Sequence, residues 1–313
     1  MKLLRCKDSS LFQIGSVATI GNFDGIHLGH QLLLKQLKAK ALELGLPSVV
    51  VIFEPQPNEY FNKEKPTARL TTLREKIKIL KEYQIDYVLC LKFDNKLAAM
   101  LASDFVEHYF LSFLKLRYLL VGADFHFGFK RSGDVAYLQN IASRSNFTVE
   151  VFSDFKINEG RVSSTRVREQ LKNGNLNEAA LLLGRRFSLL GRVIKGKQLG
   201  RQWGIPTANI AMHRPTLPLG GVFCVLVKRE NQKELLKAVA NLGKRPTLDG
   251  VKTILEIHIL DFADDIYGEM LEVFFIHKLR DEQRFDSIDA LIAKIQQDII
   301  EAKNYFTFNE LTE

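Results

Sequence analysis

The chain of 313 residues has no long hydrophobic run and few cysteines. No apolar stretch approaches the roughly 20 residues that a helix needs to cross a bilayer, and the N-terminus lacks the apolar core of a signal peptide. The three cysteines, Cys6, Cys90 and Cys224, are odd in number and far apart, which predicts reduced thiols rather than a disulfide framework. We therefore expect a globular cytoplasmic protein with no membrane partner.

The sequence also lacks any concentration of charge. The net charge is +8, yet no basic block and no RNA-binding motif gathers it. Nucleic acid is therefore not an expected partner, whereas polyphosphate ligands also favour a basic surface. With 46% hydrophobic and 26% charged residues, the chain has an ordinary globular composition and a length that suits two domains.

Short apolar runs alternate with helical patterns up to about residue 183. This alternation predicts a doubly wound parallel sheet with helices on both faces, whose ligand binds beyond the carboxyl ends of the strands. The predicted strands are 17–20, 49–53, 87–91, 118–121 and 148–151. The predicted helices follow His30, cover 73–83 and 135–143, and open at Ser103.

The segment that we call the glycine turn, residues 21–30, joins the first predicted strand to the first helix. It carries Gly21, Gly25 and Gly29 at four-residue spacing, with His27 and His30 between and after them. Backbone N–H groups and a helix N-terminus converge at such a turn and favour an anion. The spacing does not fit the G-x-G-x-x-G fingerprint, and two imidazoles without a third ligand make a poor metal site. A helix cap with two surface histidines is the plainer alternative.

Polar residues follow the other predicted strands at the same edge of the sheet. They include Glu54-Pro55-Gln56-Pro57 after the second strand, and Asp124 and His126 after the fourth. Beyond the fifth strand, a further helix opens with Ser163, Ser164, Thr165 and Arg166. Three hydroxyls, exposed N–H groups and a guanidinium at a helix start predict a second anion site.

These two elements carry a family resemblance. The two elements are Gly-Asn-Phe-Asp-Gly-Ile-His-Leu-Gly-His and Ser-Ser-Thr-Arg. Together they resemble the nucleotidyltransferases with a His-x-Gly-His signature, above all the FAD synthetase module of bacterial bifunctional riboflavin kinase/FAD synthetases. The resemblance implies that His27 and His30 contact ATP phosphates. It implies that the ATP pocket is lined by Gly21, Asn22, Phe23 and Asp24, and that Ser163, Thr165 and Arg166 grip the phosphates from the other side. We assign Gly29, Asp124 and Ser164 to the same site.

Two positions depart from the family pattern in this module. Gln56 stands where the family usually has histidine, and His126 stands where it usually has arginine. The chemistry still fits the other residues, because adenylyl transfer sends an ionised phosphate against the α-phosphate of ATP and needs no general base. It needs alignment and charge stabilisation, which histidines, Arg166 and helix N-termini supply, with Mg²⁺ as the further cation.

The pattern changes near residue 185, so we predict domains at 1–184 and 185–313. The second part shows strand patterns at 187–194, 222–227, 238–242, 254–260 and 271–277, followed by one amphipathic helix from Ser287. This order predicts a small antiparallel β-barrel with a long C-terminal helix.

Residues 191–197 match the start of a P-loop, but we reject this interpretation. Gln198 replaces the Mg²⁺-binding hydroxyl, and the segment lies in a strand pattern with no helix after it. A phosphate-binding turn of Gly196, Lys197, Gly200 and Arg201 is expected instead.

Two further segments of the second part carry residues suited to metal binding or proton transfer. Thr207 and Asn209 present neutral oxygens to a Mg²⁺ that ATP already holds, although Pro-Thr-Ala-Asn alone is more often a turn. Alternation in the 254–260 strand puts Glu256 and His258 on its polar face. Glu256 is there either a proton acceptor or a solvated carboxylate.

A second resemblance bears on this choice. Three segments resemble, in order and spacing, the riboflavin kinase module of the same family. They are Gly-Arg-Gln-Trp-Gly-Ile-Pro-Thr-Ala-Asn-Ile, Asn-Leu-Gly-Lys-Arg-Pro-Thr and Leu-Glu-Ile-His-Ile-Leu-Asp-Phe. The resemblance implies Thr207 and Asn209 on Mg²⁺–ATP and Glu256 as the base on the riboflavin 5′-hydroxyl. It places Arg280, Glu282 and Phe285 near the flavin. Trp203 stands where a smaller apolar residue is common.

Together the two resemblances predict a bifunctional enzyme that makes FMN from riboflavin and ATP, and FAD and pyrophosphate from FMN and ATP. The expected ligands are Mg²⁺, ATP and the flavins, and the expected state is a monomer or weak homo-oligomer. Two alternatives stay open. An adenylyltransferase for a different acceptor would leave the kinase-like half unexplained, and a flavin-nucleotide-binding regulatory protein would leave the intact chemical residues unexplained.

Overall fold

The computed structural model describes residues 1–5, 9–196, 200, 203–212, 214, 216–230, 232–247 and 250–309. Their contacts divide the chain into two compact units, residues 1–67 with 73–163, and residues 68–72 with 164–313. Among these described residues, no helix is both long enough and apolar enough to span a bilayer. The predicted domain boundary at 184/185 stays a prediction.

The first unit is built on a six-stranded parallel sheet with the order β1-β4-β3-β2-β5-β6. Its strands are β1 (Lys2–Leu4), β2 (Ser16–Ile20), β3 (Ser48–Glu54), β4 (Tyr87–Lys92), β5 (Leu116–Gly122) and β6 (Thr148–Phe152). Every residue of the inner strand β2 is buried, as in sheets covered on both faces. The predicted doubly wound parallel sheet is confirmed.

Helices and two apolar clusters accompany this sheet. The helices are α1 (Leu28–Glu43), α2 (Pro57–Phe61), α3 (Leu73–Glu82), α4 (Asn95–Ala98), α5 (Ala102–Phe105, continued by the π-helical Val106–Phe113) and α6 (Val135–Ala142). Successive residues of β3 enter different clusters, since Val49 packs with Phe110 whereas Val50 packs with Leu34 and Leu37. The core therefore lies on both faces of the sheet, which leaves the loops at the strand ends for function.

Helix α1 differs from its prediction at both ends. It begins at Leu28, earlier than the predicted start after His30, and His27 is its N-cap residue. Leu33, Leu37 and Ala41 are buried, but Leu44 is 43% exposed because it lies beyond the last helical residue, as the C-cap. The edge strand β1 and the hairpin of β7 (Lys156–Ile157) and β8 (Gly160–Arg161) were not predicted, because strands of two or three residues leave no periodicity.

The second unit contains a closed antiparallel barrel with the order β10-β13-β12-β11-β14-β9. Its strands are β9 (Ser188–Ile194), β10 (Ala208–Ala211), β11 (Gly221–Arg229), β12 (Leu235–Thr247), β13 (Gly250–Ile259) and β14 (Met270–Arg280). Helices α7 (Ser164–Lys172) and α8 (Leu176–Leu183) precede the barrel, and α9 (Ile288–Phe308) follows it. This arrangement confirms the predicted barrel with a long C-terminal helix.

The long helix α9 is fixed at its start and along one face. Ser287 accepts a hydrogen bond from the Ala290 N–H group and so caps the helix, whose start agrees with the predicted one. Ala302 and Phe306 pack with Val222 and Cys224 of the barrel. Ile288, the first residue of the helix, is exposed.

Residues 68–72 belong to the second unit although they lie between α2 and α3 in the chain. The Arg214 guanidinium donates from Nη1 to the carbonyl oxygens of Arg69 (3.1 Å) and Leu70 (3.0 Å). Arg168 Nε donates to the carbonyl oxygen of Ala68 (2.6 Å). Two arginines of the second unit therefore hold this short segment by its backbone.

Candidate functional site

The glycine turn leaves β2 with an unusual backbone. Phe23 (φ 46°), Gly25 (φ 81°) and Ile26 (φ 40°) all have left-handed conformations. The side chains of Phe23 and Ile26 are buried in the cluster that also holds Leu33 and Leu34 of α1. Non-glycine residues persist in such conformations where their surroundings fix them, and this is common at ligand sites. The turn is therefore a shaped, anchored loop at the carboxyl end of an inner strand.

The two histidines form a stacked pair at the start of α1. His27 Nδ1 accepts a hydrogen bond from the His30 backbone N–H group (3.4 Å), and the ring centroids lie 3.8 Å apart with planes inclined by 18°. Because Nδ1 accepts, a neutral His27 carries its proton on Nε2. Gly29 leaves room for this ring, since a Cβ there would lie 3.3 Å from His27 Cε1 and Nδ1. The structure thus brings His27, Gly29 and His30 together.

The surroundings of His30 favour a bound anion. Burial lowers the pKa of His30 well below its usual range, and the charges of His27, Lys76 and Arg161 lower this pKa further. Its Nδ1 atom is buried and has no hydrogen-bond partner among the described residues. His30 is therefore neutral near pH 7 in the ligand-free protein. A phosphate arriving here would raise the pKa of His30 again, because negative charge favours the imidazolium.

Asp124 follows β5 at the same edge of the sheet and is held by an arginine that the sequence did not suggest. Arg161 Nη2 lies 2.9 Å from Asp124 Oδ2, and Arg161 Nε lies 3.0 Å from Asp154 Oδ1. His126 Nδ1 donates to the Asp124 carbonyl oxygen (2.9 Å). Since Arg161 also lowers the pKa of His30, it connects Asp124 electrostatically with the histidine pair. Arg161 was missed because it lies in the two-residue strand β8.

The second predicted anion-binding group is divided between the two units. Ser163 belongs to the first unit and directly follows Val162, whose carbonyl oxygen would lie 3.7 Å from a Cβ at Gly29. Ser164, Thr165 and Arg166 form the first turn of α7 and belong to the second unit. Their predicted contact with nucleotide phosphates stays a prediction.

In the second unit, strand register lines up one row of residues across five strands. Asn209 on β10 pairs with Glu256 on β13, which pairs with Asn241 on β12. Asn241 pairs with Val222 on β11, which pairs with Arg280 on β14. Directly opposed residues of antiparallel strands lie on the same face of the sheet. The fold therefore places Asn209, Glu256 and Arg280 on one side of the barrel wall.

A cavity of about 330 Å³ is lined by this row. Seven residues predicted at the kinase site line it, namely Gly200, Thr207, Asn209, Glu256, Arg280, Glu282 and Phe285. The apolar lining comes from the barrel, from the connection between β14 and α9, and from α9, and includes Val222, Val239, Phe285, Leu291, Ile295 and Ile299. One polar wall facing one apolar wall suits a flat, largely apolar ligand that carries a polar arm.

An ion pair between β14 and α9 closes one side of this cavity. Arg280 Nε donates to Asp298 Oδ1 (2.9 Å), and Arg280 Nη2 donates to Asp298 Oδ2 (2.7 Å). Asp298 is only 2% exposed, and the Arg280 guanidinium lies 5.8 Å from the centre of the Phe285 ring. Such bidentate pairs fix a planar side chain in one orientation. Asp298 was missed because it is one polar position among several on an amphipathic helix.

Two glycines and a histidine shape the cavity's other side. A Cβ at Gly196 would overlap the Asn209 side-chain amide, and a Cβ at Gly200 would overlap the Ile205 carbonyl oxygen. His258 Nδ1 donates to the Pro206 carbonyl oxygen (2.8 Å), which fastens the Pro-Thr-Ala-Asn segment to β13. The predicted phosphate-turn residues Lys197 and Arg201 lie outside the described residues.

A second cavity, of about 410 Å³, shares Thr207 with the first. Its lining includes Val193, Pro206, Ile257, Phe262 and Tyr267. Two ligands, one in each cavity, would meet near Thr207. In the described part of the chain, no group of three or more His, Cys, Asp or Glu side chains is arranged to hold a metal ion. Thr207 and Asn209 offer two neutral oxygen ligands, which suit a cation that is held mainly by its ligand's phosphates.

Comparison with known proteins gives matches along both units. Residues 10–166 match the family model for FAD synthetase, and residues 183–306 match the family model for riboflavin kinase. A crystal structure named macrolide-efflux protein from Streptococcus pneumoniae is similar with a TM-score of 0.79 and 29% identity, over 96% of this chain and 99% of that chain.

Two curated relatives carry the same name, bifunctional riboflavin kinase/FMN adenylyltransferase. The Haemophilus influenzae protein is 46% identical over 292 residues, which covers 93% of this chain and 94% of the relative. The Escherichia coli K12 protein is 44% identical over 294 residues and covers 94% of each chain. With both family models matched in the predicted order, the chain belongs to the bifunctional riboflavin kinase/FMN adenylyltransferase family.

Proposed function

We propose that the C-terminal part of the chain transfers a phosphoryl group from ATP to riboflavin and that the N-terminal part joins the resulting FMN to AMP. The products are FMN and ADP in the first reaction, and FAD and pyrophosphate in the second. The observation that carries this proposal is the match of both family models within one chain, together with relatives that align over nearly its whole length.

For the kinase reaction we propose Glu256 as the general base. The riboflavin 5′-hydroxyl is a neutral alcohol and must lose its proton as its oxygen bonds to the γ-phosphorus of ATP, so a carboxylate nearby assists the step. Support comes from the position of Glu256 in the cavity wall beside Asn209, opposite the apolar surface of α9. The flavin ring would lie against that surface, near Phe285, and ATP would occupy the second cavity beyond Thr207.

For the adenylyl transfer we propose charge stabilisation without a base. The FMN phosphate attacks the α-phosphorus of ATP already ionised, and pyrophosphate leaves. The stacked His27 and His30 and the anchored glycine turn support a phosphate site at the start of α1. The other proposed ligands are Gly21, Asn22, Phe23, Asp24, Gly29, Asp124, Ser163, Ser164, Thr165 and Arg166, the last four on the strength of the Ser-Ser-Thr-Arg motif.

Mg²⁺ belongs to the proposal for both reactions. It would neutralise phosphate charge, with Thr207 and Asn209 adding neutral oxygen ligands in the kinase site. A cytoplasmic location is also proposed, in keeping with the free thiols of Cys90 and Cys224. A monomer or weak homo-oligomer that acts on small molecules and not on nucleic acid completes the proposal.

A single incubation tests this function. The purified full chain is mixed with riboflavin and Mg²⁺–ATP, and the flavins are separated by chromatography over time. We expect FMN first and FAD after it, and neither product when EDTA removes the Mg²⁺. FMN without FAD, even with FMN supplied directly, would contradict the adenylyltransferase half. No flavin product at all would contradict the whole proposal.

A further inference from the structure

Lys76 is a fully buried lysine in the middle of α3, with 0% of its surface exposed. A buried ammonium group is unfavourable unless hydrogen bonds and charges in the protein replace its hydration. Lys76 Nζ donates to the backbone carbonyl oxygen of Asn22 at 2.5 Å, across 54 positions of sequence. A lysine inside the core therefore contacts the backbone of the glycine turn directly.

This contact lies at the point where the backbone of the turn becomes left-handed. The Asn22 carbonyl belongs to the same peptide unit as the Phe23 N–H group, and Phe23 is the first left-handed residue of the turn. In a planar trans peptide the C=O and N–H groups point in opposite directions. By holding the Asn22 carbonyl towards α3, Lys76 directs the Phe23 N–H group away from α3. A charged donor makes this a stronger constraint than a neutral one would.

The same ammonium group acts on His30. Three neighbouring charges face this imidazole from different elements, namely His27 at the start of α1, Lys76 on α3 and Arg161 on β8. Each of them lowers the pKa of His30. Lys76 thus supplies a fixed positive charge close to both the turn and the histidine pair.

We propose that Lys76 is a positioning residue of the adenylyltransferase site, which fixes the glycine turn through the Asn22 carbonyl and places a positive charge behind the phosphate-binding histidines. The inference rests on the proposed function of the first unit. No atom of Lys76 needs to touch a substrate for this role. In the sequence, Lys76 is one of several lysines on an amphipathic helix, and only the fold brings it to the turn.

Two substitutions separate the hydrogen bond from the charge. Lys76→Met removes both, whereas Lys76→Gln keeps a donor without the charge. We expect Lys76→Met to lower kcat/KM for conversion of FMN to FAD by about 10- to 100-fold, the effect typical of losing a hydrogen bond to a charged group. Lys76→Gln should fall between this variant and the wild type. Riboflavin phosphorylation by the same full chain should stay within about twofold, as should both activities of Lys81→Met, an exposed control on the same helix.

The titration of His30, followed by NMR of the labelled imidazole, gives a readout that packing alone would not move. Without the Lys76 charge, the pKa of His30 should rise in both variants. Adenylylation within about threefold of the wild type in Lys76→Met would overturn the inference. So would a loss of activity with an unchanged His30 titration, since that would assign Lys76 to packing. If Lys76→Met does not fold, Lys76→Gln decides, and either wild-type adenylylation or an unchanged His30 titration in that variant would overturn the inference. A wild type that makes no FAD from FMN would instead contradict the proposed function.

Discussion

At the scale of single residues, the two proposed reactions ask for different groups. The kinase reaction starts from a neutral hydroxyl and gains from a carboxylate, which Glu256 offers in the cavity wall. The adenylyl transfer starts from an ionised phosphate and gains from hydrogen-bond donors that stabilise its charge, a role proposed for the His27–His30 pair. A substitution at one of these positions should therefore change one activity and leave the other intact.

Replacing Glu256 by Gln keeps the shape of the side chain but removes the proton acceptor. We expect kcat for FMN formation to fall about 10²- to 10⁴-fold, with little change in the KM for riboflavin, because the base acts only in the transition state. Initial rates followed by flavin chromatography measure this effect. A kcat within tenfold of the wild type would mean that Glu256 is not the base.

His30 should also make the stability of the first unit depend on pH. Burial lowers its folded-state pKa well below 6.5, whereas the unfolded chain keeps the ordinary value near 6.5. Below about pH 6.5 the unfolded state therefore binds a proton that the folded state does not, and stability falls as the pH falls towards the folded-state pKa. Calorimetry at pH 7.5 and 5.5 should show a smaller loss of Tm for His30→Gln than for the wild type. Equal losses would show that the pKa of His30 is not lowered by folding.

At the scale of secondary-structure elements, the kinase cavity depends on how α9 is fastened to the barrel. The helix supplies the apolar lining residues Leu291, Ile295 and Ile299, and the ion pair of Asp298 with Arg280 connects it to β14. Arg280 is 14% and Asp298 2% exposed, so the pair is largely shielded from solvent. Removing one member leaves the other charge buried without its partner.

We expect Asp298→Ala to destabilise the second unit by about 3–5 kcal/mol and to raise the KM for riboflavin, because Arg280 would lose its partner and α9 its anchor. Denaturant unfolding measures the stability, and kinase assays measure the KM. Asp289→Ala, at an exposed position in the first turn of the same helix, is the matched control and should change stability by less than about 0.5 kcal/mol. An equal loss of stability in both variants would contradict a special role of the ion pair.

The elements that the sequence predicted well are those with several periodic residues. The five longer strands of the parallel sheet and five barrel strands follow apolar runs, and α9 follows a helical repeat with a serine cap. The short strands β1, β7, β8 and β10 were missed, since two to four residues show no period and β10 continues from a proline-containing turn. The start of α1 was placed too late because its N-cap is a histidine, which is not a common capping residue.

The residues of the two candidate sites also differ in how well the sequence predicts them. Thr207, Asn209 and Glu256 lie in contiguous motifs, so the sequence could suggest them, and the structure brings them to one cavity. Lys76, Arg161 and Asp298 act on partners far away in sequence, and nothing in their local pattern marks them. Tertiary packing alone creates the contacts of Lys76 with Asn22 and of Asp298 with Arg280.

At the scale of the whole molecule, the chain combines two sites that use successive flavins. FMN is the product of the proposed kinase and a substrate of the proposed adenylyltransferase, so the two reactions form a sequence within one polypeptide. The contacts group α7 and α8 with the barrel, whereas the predicted boundary at 184/185 groups them with the parallel sheet. The location of the two activities is therefore tested better by substitutions in the full chain than by cutting it.

A complementation assay with two full-length variants, Glu256→Gln and His30→Ala, tests whether one chain holds two independent sites. From riboflavin and Mg²⁺–ATP, Glu256→Gln alone should give almost no FMN or FAD, although it should convert supplied FMN to FAD. His30→Ala alone should stop at FMN. A mixture of the two variants should produce FAD, because FMN released by one is adenylylated by the other. If either folded variant lost both activities, or if the mixture made no FAD, the assignment of two independent sites would be contradicted.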